Sequence, residues 1–426
     1  MLAPDLTVAE NMSLGIEQKK GGLFLDNKKM ISIARDISNT YKLAVDPTKK
    51  IKDIPIGIRQ RVEILKALLR NAKILILDEP TAVLTPQEVD VLFDTLRNLK
   101  KEGKTILFIS HKLQEVKAIS DRITIMKDTK VVTTRDASSI DEKEIARLMV
   151  GRDVSIERIV ATEKVGKTLL NVEKLKYVNT DGLTALDNVS FNVRAGEILG
   201  IAGVEGNGQS ELSRIISGLM KSTSGEVFLD ETRIDSYSPR KIREAGIGHI
   251  PEDRMENGIA AEVSVSENLI ADRYYKEPFS KGVFISTKEV EKFADEMVDK
   301  FNISTQSIHS SIGSLSGGNI QKAVVARELS ADISLIIASQ PTRGVDIGSE
   351  FMIHNLLRSM RDAGKGILLI SADLDEVLTL SDRIIVMYEG GIVAHFSDLE
   401  HITDKDLGPY MLGVDRQEGA SGQVFA

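Results

Sequence analysis

The sequence contains no cysteine in its 426 residues. Disulfide bonds and thiol chemistry are therefore excluded, which is compatible with a reducing compartment. The sequence also lacks any run of 18 or more apolar residues and any basic-then-apolar leader. It therefore predicts neither a membrane span nor a signal peptide. Any role at a membrane is expected to depend on a partner.

The sequence has fewer basic than acidic residues. The chain has 55 Lys and Arg residues against 63 Asp and Glu residues, which gives a formal net charge of −8 at pH 7. This balance argues against a broad nucleic-acid surface, although a local basic patch is compatible with it. The length is sufficient for two or three domains, each with its own core.

What the sequence does contain is an internal repeat. Three landmarks recur at a constant spacing of 261 residues: Gly57 and Gly318, Pro80 and Pro341, and Asp121 and Asp382. A fixed offset across several motifs predicts two copies of one unit. Alternating strand and helix patterns within each copy predict α/β domains, each with a mainly parallel sheet covered by helices on both faces.

The two copies differ in extent. The second copy starts near Leu169 and reaches the counterpart of Met1 near Gly258, and nothing corresponding to that stretch precedes Met1. We therefore expect the first domain to lack its N-terminal part, including its phosphate loop. The predicted organisation is a truncated first domain, a linker, a complete second domain and a disordered tail, at residues 1–150, 151–168, 169–412 and 413–426.

A short apolar run, Ile74–Leu77, ends directly in the carboxylates of Asp78 and Glu79. Such a run is typical of a buried strand in a parallel sheet, and open α/β sheets bind ligands at the carboxyl ends of their strands. Asp78 is predicted to hold a magnesium ion and Glu79 to polarise a water molecule. In the second copy Ser339 and Gln340 replace the two acids.

A glycine-rich loop follows the predicted strand Glu197–Ala202 and opens a helix, which is the context that a phosphate-binding loop requires. Its backbone N–H groups can surround phosphate oxygens, assisted by the helix dipole. Ser210 stands where a magnesium-coordinating hydroxyl belongs, but Gln209 stands where the motif has lysine. Phosphate binding is therefore expected and hydrolysis is not, while an ordinary strand-to-helix turn is the alternative. The predicted loop comprises Gly203, Val204, Glu205, Gly206, Asn207, Gly208, Gln209 and Ser210.

A second glycine-containing motif, LSGGN, opens the predicted helix Ile320–Leu329. A hydroxyl and unshielded N–H groups at a helix start can receive an anion, although a simple cap is the alternative. In the first copy the same five positions read IPIGI, without the hydroxyl and with one glycine fewer. The predicted anion-binding residues are Ser316, Gly317, Gly318 and Asn319.

His111 lies 32 residues after Glu79, at the end of a predicted strand. A neutral imidazole both donates and accepts hydrogen bonds, which suits a bridge between a terminal phosphate and an attacking water. At the same distance from Gln340 the second copy has Ala372. Because the histidine and both acids are absent together, a catalytic role for His111 is favoured over a structural one.

Together these motifs, in this order, resemble the ATPase domain of ABC transporters in its fused two-copy form. The resemblance implies that two domains bind two ATP molecules, with Mg²⁺, head to tail. It implies Asp78 as the magnesium ligand, Glu79 as the general base, His111 as the switch histidine and Ser316–Asn319 as the signature helix acting on that site from the other domain. Tyr177 matches the aromatic residue that stacks on adenine, although a core tyrosine is the alternative.

The stretches around DEPTAVLTPQE and GIGHIPEDR resemble bacterial importers of nucleosides and simple sugars. The nucleoside branch is favoured because no acids precede QPTRGVD in the second copy. The resemblance implies membrane permease partners that dock near Pro251–Arg254 and Glu267–Tyr275, an extracellular substrate-binding lipoprotein, a location at the cytoplasmic membrane face, and no nucleic-acid partner.

Two other interpretations of the sequence stay open. One is a soluble tandem ABC translation factor, although that class usually keeps both acid pairs and a long basic linker. The other is a truncated, inactive remnant that binds nucleotide or permease without turnover.

Overall fold

A computed structural model describes residues 2–21, 24–54, 56–70, 72–81, 84, 86–110, 112–127, 130–150, 165–417 and 419. The chain divides into two compact units, unit 1 (Met1–Leu148) and unit 2 (Met149–Ala426). His111, residues 151–164 of the predicted linker, and residues 418 and 420–426 of the predicted tail lie outside the described residues.

Unit 1 opens with helices around a small hairpin. These elements are α1 (Val8–Ser13), β1 (Lys19–Lys20), β2 (Phe24–Leu25), α2 (Asn27–Thr40) and α3 (Ile56–Leu69). Helix α1 starts with a capping box, in which the Thr7 hydroxyl accepts from the Glu10 N–H and the Glu10 carboxylate accepts from the Thr7 N–H. Two N–H groups that would otherwise lack a partner at the helix start are thereby satisfied.

The rest of unit 1 contains two separate two-stranded sheets. Its elements are β3 (Ile74–Asp78), α4 (Pro86–Lys101), β4 (Thr105–Ile109), α5 (Leu113–Ile119), β5 (Arg122–Lys127), β6 (Lys130–Asp136) and α6 (Glu142–Val150). Strands β3 and β4 pair in parallel, whereas β5 and β6 pair antiparallel. Leu75 and Leu77 point from β3 into the core that the helices of unit 1 form.

Unit 2 begins with a four-stranded antiparallel sheet and the first strand and helix of its central layer. These elements are β7 (Thr168–Val178), β8 (Thr184–Arg194), β9 (Ile198–Ala202), α7 (Gln209–Ile216), β10 (Ser224–Leu229) and β11 (Thr232–Arg233). The antiparallel sheet has the order β11-β10-β7-β8.

A second set of elements completes unit 2. They are α8 (Pro239–Glu244), β12 (Ile247–Ile250), α9 (Val265–Leu269), β13 (Ser280–Lys281), β14 (Phe284–Ile285), α10 (Thr287–Lys300), α11 (Gly317–Leu329), β15 (Leu335–Ser339), α12 (Ile347–Asp362), β16 (Gly366–Ile370), α13 (Leu374–Leu380), β17 (Arg383–Tyr388), β18 (Gly391–Phe396) and α14 (Asp404–Met411). The central sheet has the order β12-β15-β16-β9-β17-β18, and its first five strands are parallel. The predicted mainly parallel α/β sheet is confirmed.

The central sheet of unit 2 separates two cores, because alternate residues of a strand point to opposite faces. Leu335 and Ile337 of β15 join one core, the inner core, with side chains of the antiparallel sheet and α7. Ile336 and Ala338 of the same strand join the other core, with α10, α11 and α12.

The face of unit 1 that corresponds to the inner core is exposed. Six apolar side chains of its strands are exposed: Ile74, Ile76, Leu107, Ile109, Met126 and Val131. Their counterparts 261 residues later all belong to the inner core: Leu335, Ile337, Leu368, Ile370, Met387 and Ile392. The difference is large, since Ile76 is 66% exposed and Ile337 is 0% exposed.

The first residues of the predicted disordered tail are ordered instead. The Gln417 N–H donates to the Val393 carbonyl at 2.9 Å, and the Gln417 side chain accepts from the His395 N–H at 2.8 Å. These bonds hold the start of the tail against β18, so the prediction of disorder from residue 413 is wrong for that part. No helix in the described part of the chain has both the length and the apolar character needed to cross a membrane.

Candidate nucleotide-binding site

The glycine loop of unit 2 connects β9 to α7, as the sequence predicts. Gly206 and Gly208 adopt φ angles of +95° and +100°, which side chains other than glycine rarely adopt. At Gly208 a Cβ atom would lie 2.5 Å from the Ala185 carbonyl oxygen, so a larger residue has no space there. The loop therefore turns tightly and brings its backbone to the N-terminus of α7, the arrangement that binds phosphate.

The Gln209 side chain points into this loop and contacts its backbone. Its side chain is 7% exposed, and its Nε2 donates to the Val204 carbonyl at 3.2 Å. The same nitrogen lies against Gly203, where a Cβ atom would be only 2.3 Å away. The amide thus stabilises the curve of the loop but brings no charge to a phosphate.

Ser210 contacts a carboxylate that was not among the predicted site residues. Its hydroxyl donates to Glu252 Oε2 at 2.5 Å. Arg343 Nη1 lies 3.2 Å from Glu252 Oε1 and 3.6 Å from Glu205 Oε1. The phosphate loop, the loop after β12 and the turn after β15 therefore meet in one charged network.

Two adjoining cavities flank this network. A cavity of about 10 Å³, enough for one water molecule, lies between the loop and the end of β15. Its lining includes Gly203, Gln209, Ser210, Glu252, Ser339 and Gln340. A larger cavity of about 560 Å³ shares Glu205, Ser210 and Glu252 with the first and is also lined by Arg254 and Arg343. Its size falls within the range of small-molecule sites.

The donors beside the loop suit an oxygen-preferring cation. A hydroxyl and a carboxylate, on Ser210 and Glu252, are ligand types that Mg²⁺ accepts while it keeps water and phosphate oxygens as its other ligands. Among the residues that the structure describes, no group of three or more His, Asp or Glu side chains could hold a metal ion by itself. Asp78, the other predicted metal ligand, ends β3 in unit 1 with its side chain exposed.

The strand ends of the two units share one backbone geometry. Glu79 and Gln340 both have positive φ angles, +45° and +48°. The Glu79 N–H donates to the Ile109 carbonyl at 2.9 Å, and the Gln340 N–H donates to the equivalent Ile370 carbonyl at 2.7 Å. The side chain has changed from Glu to Gln, but the backbone that presents it has not.

The predicted anion-binding motif stands at the start of α11. Ser316 is the N-cap residue but makes no capping bond of its own, and its hydroxyl accepts from the Asn319 side chain at 2.8 Å. A Cβ atom at Gly317 would lie 2.6 Å from Arg254 Nη2. A guanidinium group therefore lies directly against the first glycine of this helix, which the sequence did not predict.

Tyr177 lies in β7, where it is half-buried and packs against the inner core. It is not among the residues that line either cavity. The proposed adenine contact remains a prediction. His111 lies outside the described residues, so its predicted role also remains a prediction.

A cluster of buried charges lies beside His249, which lines the larger cavity. Glu328 is 0% exposed and accepts from the side chains of Arg327 and Arg243 at 2.9 and 2.8 Å and from the backbone N–H of His249 at 3.1 Å. Burial alone would raise the pKa of Glu328, but the two arginine charges outweigh it and lower this pKa to about 2. Burial, assisted by the same arginines, lowers the pKa of the His249 imidazole to about 4.

A glycine loop between a central parallel strand and a helix, with a hydroxyl and a carboxylate beside it, defines a phosphate-loop nucleotide-binding protein. The model of the ABC transporter family matches residues 1–82 and 186–343. The chain belongs to this family of ATP-binding proteins.

Several longer relatives share much of the sequence, and the chain spans about four fifths of their length. The guanosine import ATP-binding protein NupO of Bacillus subtilis (strain 168) is 43% identical over 98% of this chain and 82% of its own length. The nucleoside import ATP-binding protein NupA of Lactococcus lactis subsp. cremoris is 44% identical with the same coverage. The glucose import ATP-binding protein TsgD13 of Haloferax volcanii is 39% identical over 100% of this chain and 82% of its own length.

Among solved structures, the complex of archaeal ribosomal stalk protein aP1 with the ribosome recycling factor aABCE1 matches 98% of this chain and 75% of the solved chain, with a TM-score of 0.64. The sequence identity is 18%, so this similarity shows the tandem fold and nothing about the function.

Proposed function

We propose that the chain is the ATP-binding, energy-coupling subunit of an ABC importer whose substrate is a nucleoside. The observation that carries the proposal is the identity of 43% and 44% to relatives named for guanosine and nucleoside import, against 39% to the relative named for glucose import. The acid-free strand end before QPTRGVD, which first favoured the nucleoside branch, agrees with it.

The proposed partners are integral-membrane permease subunits, with the chain bound at the cytoplasmic face of the membrane. A substrate-binding lipoprotein outside the cell would deliver the nucleoside. Two exposed apolar side chains support a contact with the permease beside the larger cavity and after α9, since Met255 is 50% exposed and Tyr274 is 48% exposed.

The proposed chemistry is ATP hydrolysis that depends on unit 1 for its carboxylates. Asp78 would hold Mg²⁺, Glu79 would act as general base towards the attacking water, and His111 would orient that water. Ser316–Asn319 are proposed as an anion-binding helix start for the nucleotide phosphates. Unit 2, without acids at its strand end, would bind nucleotide through its glycine loop and not hydrolyse it.

The substrate can be tested in the source organism by deleting the gene and measuring uptake of labelled nucleosides and of labelled ribose. We expect nucleoside uptake to fall to background and ribose uptake to persist. Expression of the gene from a plasmid should restore nucleoside uptake. Persistent nucleoside uptake would overturn the substrate assignment, and unchanged uptake of all substrates would favour the inactive remnant.

The general base can be tested in the same complemented strain. Glu79→Gln keeps the size of the side chain but removes its basicity, so ATP-driven uptake should fall about 100-fold or more. Glu102→Gln is a matched control, because Glu102 is an exposed acid of the same unit. Immunoblots of both variants check protein abundance. Normal uptake by a Glu79→Gln chain of normal abundance would refute the assignment.

A further inference from the structure

We infer that Arg343 is a nucleotide-phosphate ligand of unit 2 and supplies the positive charge that Gln209 does not bring to the phosphate loop. The inference rests on the proposed nucleotide binding by this unit. It adds to that proposal a specific residue, which lies outside the glycine loop.

The phosphate loop of unit 2 has a deficit of positive charge. Its lysine position carries the neutral, inward-facing Gln209, while Glu205 and Glu252 bring two carboxylates to its edge. None of the described side chains that line the small cavity is Lys or Arg. Nucleotide phosphates carry several negative charges, so a cationic side chain in addition to Mg²⁺ favours their binding beside two acids.

Arg343 lies at that edge. Its Nη1 is within 3.6 Å of a carboxylate oxygen of both acids, and one of these acids accepts the hydrogen bond from Ser210. The Arg343 side chain is 42% exposed, so it borders the larger cavity and is not sealed in the protein. A phosphate oxygen near the Ser210 hydroxyl would therefore lie within the reach of the guanidinium group.

The turn that carries Arg343 is held in place. The Arg343 N–H donates to the Gln340 carbonyl at 3.1 Å, and the Val345 N–H donates to the Thr342 carbonyl at 3.2 Å. Arg254 Nη1 also donates to the Arg343 carbonyl. The backbone is thus fixed while the guanidinium group is free to exchange a carboxylate for a phosphate, which lowers the entropic cost of binding.

The first copy provides an internal comparison. The position 261 residues before Arg343 is Ala82, in the copy that keeps Asp78 and Glu79 at its strand end. The arginine is therefore found in the copy whose strand end lacks the acids and whose phosphate loop carries Gln209. This pairing is expected if Arg343 compensates for the charge that Gln209 lacks.

Calorimetric titration of the full chain with ATP and with AMP, at low and at physiological salt, tests the inference. Arg343→Ala should weaken ATP binding about tenfold or more, because a charge-assisted hydrogen bond is lost, and should weaken AMP binding less. Arg343→Lys should stay within about threefold of the wild type. Arg233→Ala is the matched control, since Arg233 is also a half-exposed arginine paired with two acids, Glu226 and Asp235.

Two further variants separate a direct contact from simple neutralisation of the acids. Gln209→Lys in the Arg343→Ala background should restore ATP affinity, because it returns a cation to the loop. In a Glu205→Gln, Glu252→Gln background, Arg343→Ala should still weaken ATP binding. If the effect of Arg343→Ala disappears in that background, Arg343 only neutralises the acids and the inference is wrong.

The outcome also separates this inference from the proposed function. Tight ATP binding by the wild type with an unchanged Arg343→Ala variant overturns the role of Arg343 and leaves nucleotide binding by unit 2 intact. Absence of ATP binding by the wild type overturns both.

Discussion

At the scale of single residues, the buried pair formed by His249 and Glu328 makes the stability of unit 2 depend on pH. The pKa of His249 is lowered to about 4 from 6.5, so between these values the unfolded chain binds a proton that the folded chain does not. Stability is therefore lost as the pH falls through this window. The pKa of Glu328 is lowered to about 2 from 4.5, so its contribution is lost only below about pH 4.5.

The pH range from 7 to 5 therefore excludes Glu328 and reports on two histidines of unit 2, His249 and also His395, because burial lowers the pKa of both. We expect His249 to account for a fall of roughly 2 kcal/mol in the free energy of unfolding of unit 2 over this range, and His249→Gln should remove that part and leave the contribution of His395. Denaturant titrations followed by hydrogen exchange at each pH measure the change. An equal pH slope in wild type and variant would contradict the assignment to His249.

Residue patterns were sufficient to predict the glycine loop, the strand-end acids and the missing lysine, since these occupy fixed positions within local motifs. The network of Ser210, Glu252 and Arg343 could not be predicted in this way. Its members come from three separate segments, and only the packing of the loop after β12 beside α7 brings them together. The sequence does carry a signal for Arg343, because the equivalent position of the first copy is Ala82.

At the scale of elements, β3 and β15 have nearly the same pattern but different surroundings. The run Ile74–Leu77 of β3 predicts a buried strand, and β15 begins with four consecutive apolar residues in the same way. β15 is buried on both faces, whereas Ile74 and Ile76 of β3 are exposed. Apolar content predicts that a strand forms, but burial of each face depends on neighbours that the local pattern does not report.

This difference predicts a matched pair of mutational effects. Ile337→Ala removes a fully buried side chain from the inner core and should lower the stability of unit 2 by about 2–5 kcal/mol. Ile76→Ala, at the equivalent but exposed position, should change the stability of unit 1 by less than about 0.5 kcal/mol. Hydrogen exchange in denaturant, read on peptides from β15 and β3, reports each unit separately. Similar losses for the two variants would mean that the exposed face of β3 is covered in solution.

At the scale of the whole molecule, the constant spacing of the repeat predicted two units, and the alternation of strand and helix patterns predicted their α/β class. The same comparison describes how the units differ, because unit 2 has cores on both faces of its sheet while the described part of unit 1 covers only one face of β3 and β4. Unit 2 also contains the glycine loop, so stability gained from nucleotide should appear in unit 2.

We therefore predict that ATP stabilises the two units unequally. At a concentration of 100 times its Kd, a ligand that binds only the folded state adds about 2.7 kcal/mol. Hydrogen exchange of the full chain with and without ATP should show this gain in peptides from β9, α7 and β15 and little change in α2, α3 and β3. Arg343→Ala should reduce the gain in unit 2 at the same ATP concentration, because fewer molecules are bound. Equal protection of both units by ATP would show that the nucleotide stabilises more than the glycine-loop unit and would contradict the prediction.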